Sequence, residues 1–167
     1  IESGVAVGTF ASLDPDVIAF SGSRSEQQYT TYDFAPEGIE NLLEAYRSPQ
    51  FLPGRVAQTR NAHSISWYSY DIYGRVQWMV QQIEGLDEAK TVNYTYDAIR
   101  GQLTHTDYQK HTDDERLVHR YTYTKGGALK TVATSEDNIS FATHATYYYN
   151  EDGSLRRTEL GNNLQGI

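Results

Sequence analysis

The chain has 167 residues, no cysteine and a formal charge of −8. The missing thiols remove disulfides and thiolate metal sites, and the acidic balance speaks against binding a phosphate backbone, which needs clustered Lys and Arg. Fourteen tyrosines and thirteen glycines beside only 22% charged residues favour β-structure over helix or disorder, and no apolar run approaches the roughly 18 residues of a membrane span.

Residues 1–61 read as an N-terminal segment. Apolar stretches at residues 5–10 and 17–20 flank Asp14-Pro15-Asp16 and predict one or two short strands. The first residues lack the basic region of a signal peptide. Ser21-Gly22-Ser23-Arg24-Ser25 reads as a turn and does not fit the Gly-x-Ser-x-Gly nucleophile pattern. Tyr29-Thr30-Thr31-Tyr32-Asp33 reads as a degenerate copy of the repeat described below. Residues 36–47 predict one short helix, because Ile39, Leu42, Leu43 and Tyr46 fall on one helical face. Pro36 suits its start and Ser48-Pro49 its end. It is placed between the degenerate unit and the first clean one.

Residues 62–167 carry four copies of one phrase. The first is Tyr68-Ser69-Tyr70-Asp71-Ile72-Tyr73-Gly74-Arg75-Val76. It recurs as Tyr94-Thr95-Tyr96-Asp97-Ala98-Ile99-Arg100-Gly101-Gln102-Leu103, then as Tyr121-Thr122-Tyr123-Thr124-Lys125-Gly126-Gly127-Ala128-Leu129. The last is Tyr147-Tyr148-Tyr149-Asn150-Glu151-Asp152-Gly153-Ser154-Leu155. The second tyrosines stand 26, 27 and 26 residues apart, which marks an internal repeat of nearly fixed period. Tyr-x-Tyr puts both rings on one face of a strand. Asp or Asn then opens a turn, glycine supplies a positive φ, and the chain returns with an aliphatic residue on the tyrosine face. Each unit is therefore expected to be a β-hairpin, in an all-β fold.

Alternation extends these strands. Val76, Trp78 and Val80 are expected to face one way, with Arg75, Gln77, Met79 and Gln81 facing the other. Val92, Tyr94 and Tyr96 share a face, as do Leu117, His119, Tyr121 and Tyr123, and Phe141, Thr143, Ala145, Tyr147 and Tyr149. The opposite face, with Ser69, Asn93, Thr95, Arg120, Thr122, His144 and Thr146, reads as polar and lightly charged. Tyr70, Tyr96, Tyr123 and Tyr149 are assigned to the core, with Tyr73 and Tyr108 exposed.

These phrases resemble the tyrosine–aspartate (YD) repeats of bacterial Rhs proteins, toxin-complex shells and teneurins. The likeness is best at Tyr68 to Val76 and weaker where Thr124 and Asn150 replace the aspartate, so turn geometry is expected to differ there. Glu159-Leu160-Gly161-Asn162-Asn163-Leu164-Gln165-Gly166-Ile167 looks like sequence leading into a further unit, and the chain is expected to be a piece of a longer one. The resemblance implies hairpins in a curved or spiral antiparallel sheet that curls into a hollow shell, with the helix as a decoration on it. It also implies an extracellular or cell-surface protein. The partners it implies are the rest of its own chain or neighbouring repeats, and a polypeptide cargo or surface protein.

Catalysis is not expected, and no catalytic, metal or cofactor residue is nominated. His105, Asp107, His111, Asp113, Asp114 and Glu115 are the densest group of candidate ligands, and they match no known metal spacing. Two alternatives to a structural shell role remain open. One is a carbohydrate- or protein-binding adhesin, which requires exposed aromatic residues. The other is a hydrolase using His105, His111 and Asp113.

Overall fold

Strand-favouring residues in period-2 alternation, punctuated by glycine turns, build an open antiparallel sheet. The computed structural model describes residues 27–112 and 115–161. The early apolar stretches, the Ser21–Ser25 turn and residues 162–167 lie outside the described residues. Among the described residues ten strands stand in chain order, each bonded to the next. They are β1 (Tyr29–Tyr32), β2 (Val56–Arg60), β3 (Ser64–Tyr70), β4 (Val76–Ile83) and β5 (Lys90–Tyr96). There follow β6 (Leu103–Tyr108), β7 (Leu117–Tyr123), β8 (Leu129–Ser135), β9 (Ala142–Tyr149) and β10 (Leu155–Leu160). Every connection is a hairpin, and the described sheet does not close.

A bulge recurs at the same point of the hairpin in each repeat unit. Tyr70 pairs with Val76 but Ser69 pairs with Trp78, leaving Gln77 as an extra residue. The same slip follows Tyr32, Tyr96, Tyr123 and Tyr149. Because the side-chain period of a strand is two, one extra residue moves everything beyond it to the other face. Val76 therefore stays with the tyrosines, while Trp78 and Val80 turn away from them. This corrects the expectation that Val76, Trp78 and Val80 share a face. A further slip between Val132 and Ala133 likewise parts Phe141 from Ala145, Tyr147 and Tyr149. Phe141 lies under the Arg120 guanidinium, 3.9 Å from its ring centroid, and against His105.

The face opposite the tyrosines is consequently not merely polar. Trp67, Trp78 and Val80 make it apolar across β3 and β4, and Ile39, Leu42 and Tyr46 of the segment between β1 and β2 cover it there. This segment is not the expected helix. It contains two single 3-10 turns, Ile39–Asn41 and Glu44–Tyr46, separated by extended backbone at Leu42 and Leu43. A short isolated helix nucleates poorly, so packing decides the conformation. Ile39, Leu42 and Tyr46 are buried against Trp67, Trp78 and Val80, the Trp67 Nε1 donates to the Glu37 carbonyl at 3.2 Å, and Asn93 donates to the Tyr46 hydroxyl at 2.7 Å.

The segment also sits elsewhere than expected. Asp33 N donates to the Arg55 carbonyl, and Asp33 Oδ1 accepts from Gly54 N. Asp71 N makes the equivalent bond to the Arg75 carbonyl. Gly54-Arg55-Val56 thus stands where Gly74-Arg75-Val76 stands in the next unit, and residues 34–53 are an insertion inside the turn of the first hairpin. The degenerate copy is a full unit whose two halves the insertion separates.

Candidate functional site

The repeated residues converge on a ladder that joins each hairpin to the one before it. The Tyr96 hydroxyl donates to the Val76 carbonyl at 2.8 Å, that of Tyr123 to Leu103 at 2.6 Å, and that of Tyr149 to Leu129 at 2.7 Å. Each bond reaches twenty residues upstream, to the aliphatic residue that begins the previous return strand. Tyr70 does the same to Val56 at 2.8 Å, over a shorter connection. Burial pushes the hydroxyls of Tyr70, Tyr94, Tyr96 and Tyr123 above the usual tyrosine range. The first tyrosines lie beside them on the same face, and Tyr68 and Tyr121 reach Thr59 and Thr106 hydroxyls at 3.3 and 3.4 Å.

A second ladder runs along the turns. Gly74 N donates to the Asp71 carbonyl, Gly101 N to Asp97, Gly127 N to Thr124 and Gly153 N to Asn150. All four glycines have positive φ. The Thr124 hydroxyl accepts from Ala128 N as the Asp71 carboxylate accepts from Arg75 N. The expected change of turn geometry at Thr124 and Asn150 therefore does not extend to the backbone bonds. Burial alone would raise the Asp71 carboxyl, but bonds from Arg75 and from backbone amides outweigh it and hold the group below the usual range.

After Gly54, Gly74 and Gly101 the next residue reaches over the following unit. The Arg55 guanidinium stands 5.6 Å from the Tyr70 ring centroid, and that of Arg75 stands 4.3 Å from Tyr96. Gln102 donates to the Gly127 carbonyl at 2.9 Å. Tyr70 is the most buried of the four second tyrosines, and Tyr96, Tyr123 and Tyr149 are half-buried. Tyr73 is exposed, whereas Tyr108, expected to be exposed, is half-buried on β6.

Replacing the Tyr96 hydroxyl tests the ladder. Tyr96→Phe is expected to lower unfolding free energy by about 0.5–1.5 kcal/mol, the worth of one internal hydrogen bond. Tyr73→Phe at the exposed turn should leave it unchanged, and urea denaturation of both variants reads the difference.

Among the described residues, the histidine-rich stretch does not come together in one site. His105 sits on β6 with its Nδ1 3.2 Å from the Thr104 hydroxyl, and burial, with Arg120 nearby, lowers its pKa. His111 packs edge-on against Tyr46, with ring centroids 5.4 Å apart. Asp107 is held by Arg116 at 2.7 Å, and Glu115 is bonded to Lys90 at 2.5 Å. Asp113 and Asp114 lie outside the described residues. Among the described residues, no group of three or more His, Asp or Glu is placed to hold a metal ion, and no helix is long and apolar enough to cross a membrane.

No family model matches the chain, and no curated protein matches it by sequence. Solved structures do resemble it. One is TcdB2-TccC3 without its hypervariable C-terminal region, 17% identical with a TM-score of 0.52 over 65% of this chain and 6% of that one. Another is TcdB2-TccC3-Cdc42, 18% identical with a TM-score of 0.52 over 64% of this chain and 5% of that one. These neighbours are Rhs/YD shells of toxin complexes, and the likeness is one of fold. The chain spans about a twentieth of their length.

Proposed function

We propose that the chain is a section of wall in an Rhs-like YD-repeat shell of a secreted or cell-surface protein, enclosing or presenting a polypeptide. Its role in this reading is structural, without catalysis. The observation that carries it is the tyrosine-to-carbonyl bond repeated between successive hairpins. That bond makes each unit depend on its predecessor, as stacked repeats in general do. The fold of the toxin-complex shells supports the same reading.

β1 and β10 have no further strand beside them among the described residues. In a wall these edges pair with neighbouring units; alone they are templates for association. Light scattering of the 167-residue chain tests this. The expected result is concentration-dependent association that falls when Leu155 and Leu160, both exposed on β10, are changed to lysine. A stable monomer at every concentration would overturn the wall reading.

A second reading, a protein-binding adhesin, is favoured by one feature. Ile72, Tyr73 and Ile99 stand exposed at successive turn tips, where a partner could bury them. The monomer outcome above is the one this reading expects.

A further inference from the structure

The insertion leaves a groove of about 550 Å³ between itself and the sheet. Leu42, Trp67 and Val80 form its apolar floor, and Leu43 stands on its wall. The mouth carries Asp87 and Glu88 from the connection between β4 and β5. Its size is that of a binding cleft, and its lining mixes these apolar side chains with polar ones, among them Asn41, Gln82 and Gln109. The groove is separate from the tyrosine ladder, which occupies the other face of the sheet.

Charge identifies the occupant. Asp87 and Glu88 are exposed, and neither forms a salt bridge among the described residues. Residues 34–54 add Glu37, Glu40 and Glu44 against the single Arg47, in a chain of net charge −8. Arg47 is turned back to the Leu42 carbonyl, which its Nε reaches at 2.7 Å. Lys90, two residues from Glu88 and within its electrostatic reach, is bonded to Glu115 at 2.5 Å. His111, the one imidazole of the lining, packs on Tyr46. Carboxylates at the mouth of an apolar cleft complement a ligand with aliphatic side chains and a cationic end.

We propose that this groove binds a polypeptide segment in which aliphatic residues adjoin an arginine or lysine. The aliphatic side chains lie on Leu42, Trp67 and Val80, and the cation meets Asp87 and Glu88. The inference does not rest on the shell reading, since it concerns a site contained within this chain.

Trp67 is one of only two tryptophans and lies in the groove floor, so its fluorescence reports occupancy. The full 167-residue chain would be titrated with N-acetyl-dileucyl-arginine amide, and with the glutamine and glutamate analogues. The expected result is a saturable fluorescence change with the arginine peptide. Binding should weaken about three- to tenfold for the glutamine analogue and for the Asp87→Asn, Glu88→Gln double variant, as rim charge pairs allow. Leu43→Glu places a charge on the exposed wall and should abolish binding while leaving the melting temperature unchanged.

Several results would overturn the proposal. One is the absence of a saturable change, and another is equal binding of the glutamate peptide. Binding that emerges only after removal of residues 1–26 would assign the groove to the chain's own N-terminal segment. Self-association abolished by Leu43→Glu would assign it to a second copy.

Discussion

Replacing Trp67 with alanine is expected to cost about 3–5 kcal/mol of unfolding free energy, the range for truncating a buried tryptophan. Trp67 is buried on β3 between the insertion and the sheet, with Ile39, Leu42, Tyr46, Trp78 and Val80 around it. Loss of the ring opens a cavity that the flanking 3-10 turns cannot fill, and it removes the donor to the Glu37 carbonyl. Against a typical total stability of about 5–15 kcal/mol, such a loss would leave the first half of the sheet marginal. Denaturant unfolding followed by circular dichroism provides the measurement. A cost near 1 kcal/mol or below would mean that residues 34–54 unfold apart from the sheet and contribute little to it. Val118, buried on β7, is the comparison site: Val118→Ala should produce a smaller loss, because it deletes far less buried surface and lies away from the insertion.

The repeat was legible in the sequence because its cues are local. Tyrosines two apart, a turn former and a glycine impose strand, turn and strand without reference to the rest of the chain. Which face each residue occupies was legible only up to the bulge. Gln77 is an unremarkable strand residue, and nothing in its identity announces that the register slips there. A period-2 reading therefore carried Trp78 to the wrong face. The insertion shows the opposite failure. The apolar positions Ile39, Leu42 and Tyr46 were found correctly and do point into the core, but the spacing that suggested a helix is met by two 3-10 turns joined through extended Leu42 and Leu43. Leu43, the fourth member of that helical face, is 55% exposed. Periodicity identified what is buried and could not identify the backbone that buries it. The tyrosine hydroxyl bonds were out of reach, since a partner twenty residues upstream is fixed only once the hairpins stack. The groove was equally hidden: Asp87 and Glu88 read as an ordinary loop until the insertion folds across from them.

The turn glycines separate two physical effects that sequence alone runs together. Gly74 and Gly153 both hold left-handed backbone, with φ of 81° and 83°. A side chain in that region costs about 1–2 kcal/mol from the clash between Cβ and the following carbonyl. At Gly153 that is the whole penalty, because a Cβ there would meet nothing within 4 Å. At Gly74 it would lie 2.6 Å from an Arg55 guanidinium nitrogen. That nitrogen belongs to a side chain bonded to the Phe51 carbonyl at 2.7 Å and placed over the Tyr70 ring. Arg55 must shift, and because its guanidinium is the far end of a flexible side chain it loses only part of a charge-assisted bond worth about 1.5–3 kcal/mol and of a cation–π contact worth about 0.5–1 kcal/mol at an exposed site. Water recovers part of both. Gly74→Ala is therefore expected to cost about 2–4 kcal/mol and Gly153→Ala about 1–2 kcal/mol, by the same principles. Combining Gly74→Ala with Arg55→Ala should bring the further cost of the alanine at position 74 down to that seen at position 153, because the side chain it displaces is already gone. Thermal or urea unfolding of the four chains completes the cycle. Equal penalties at the two glycines, with no coupling to Arg55, would show that the arginine does not bind the first turn to the second, and that link of the turn ladder would then be absent.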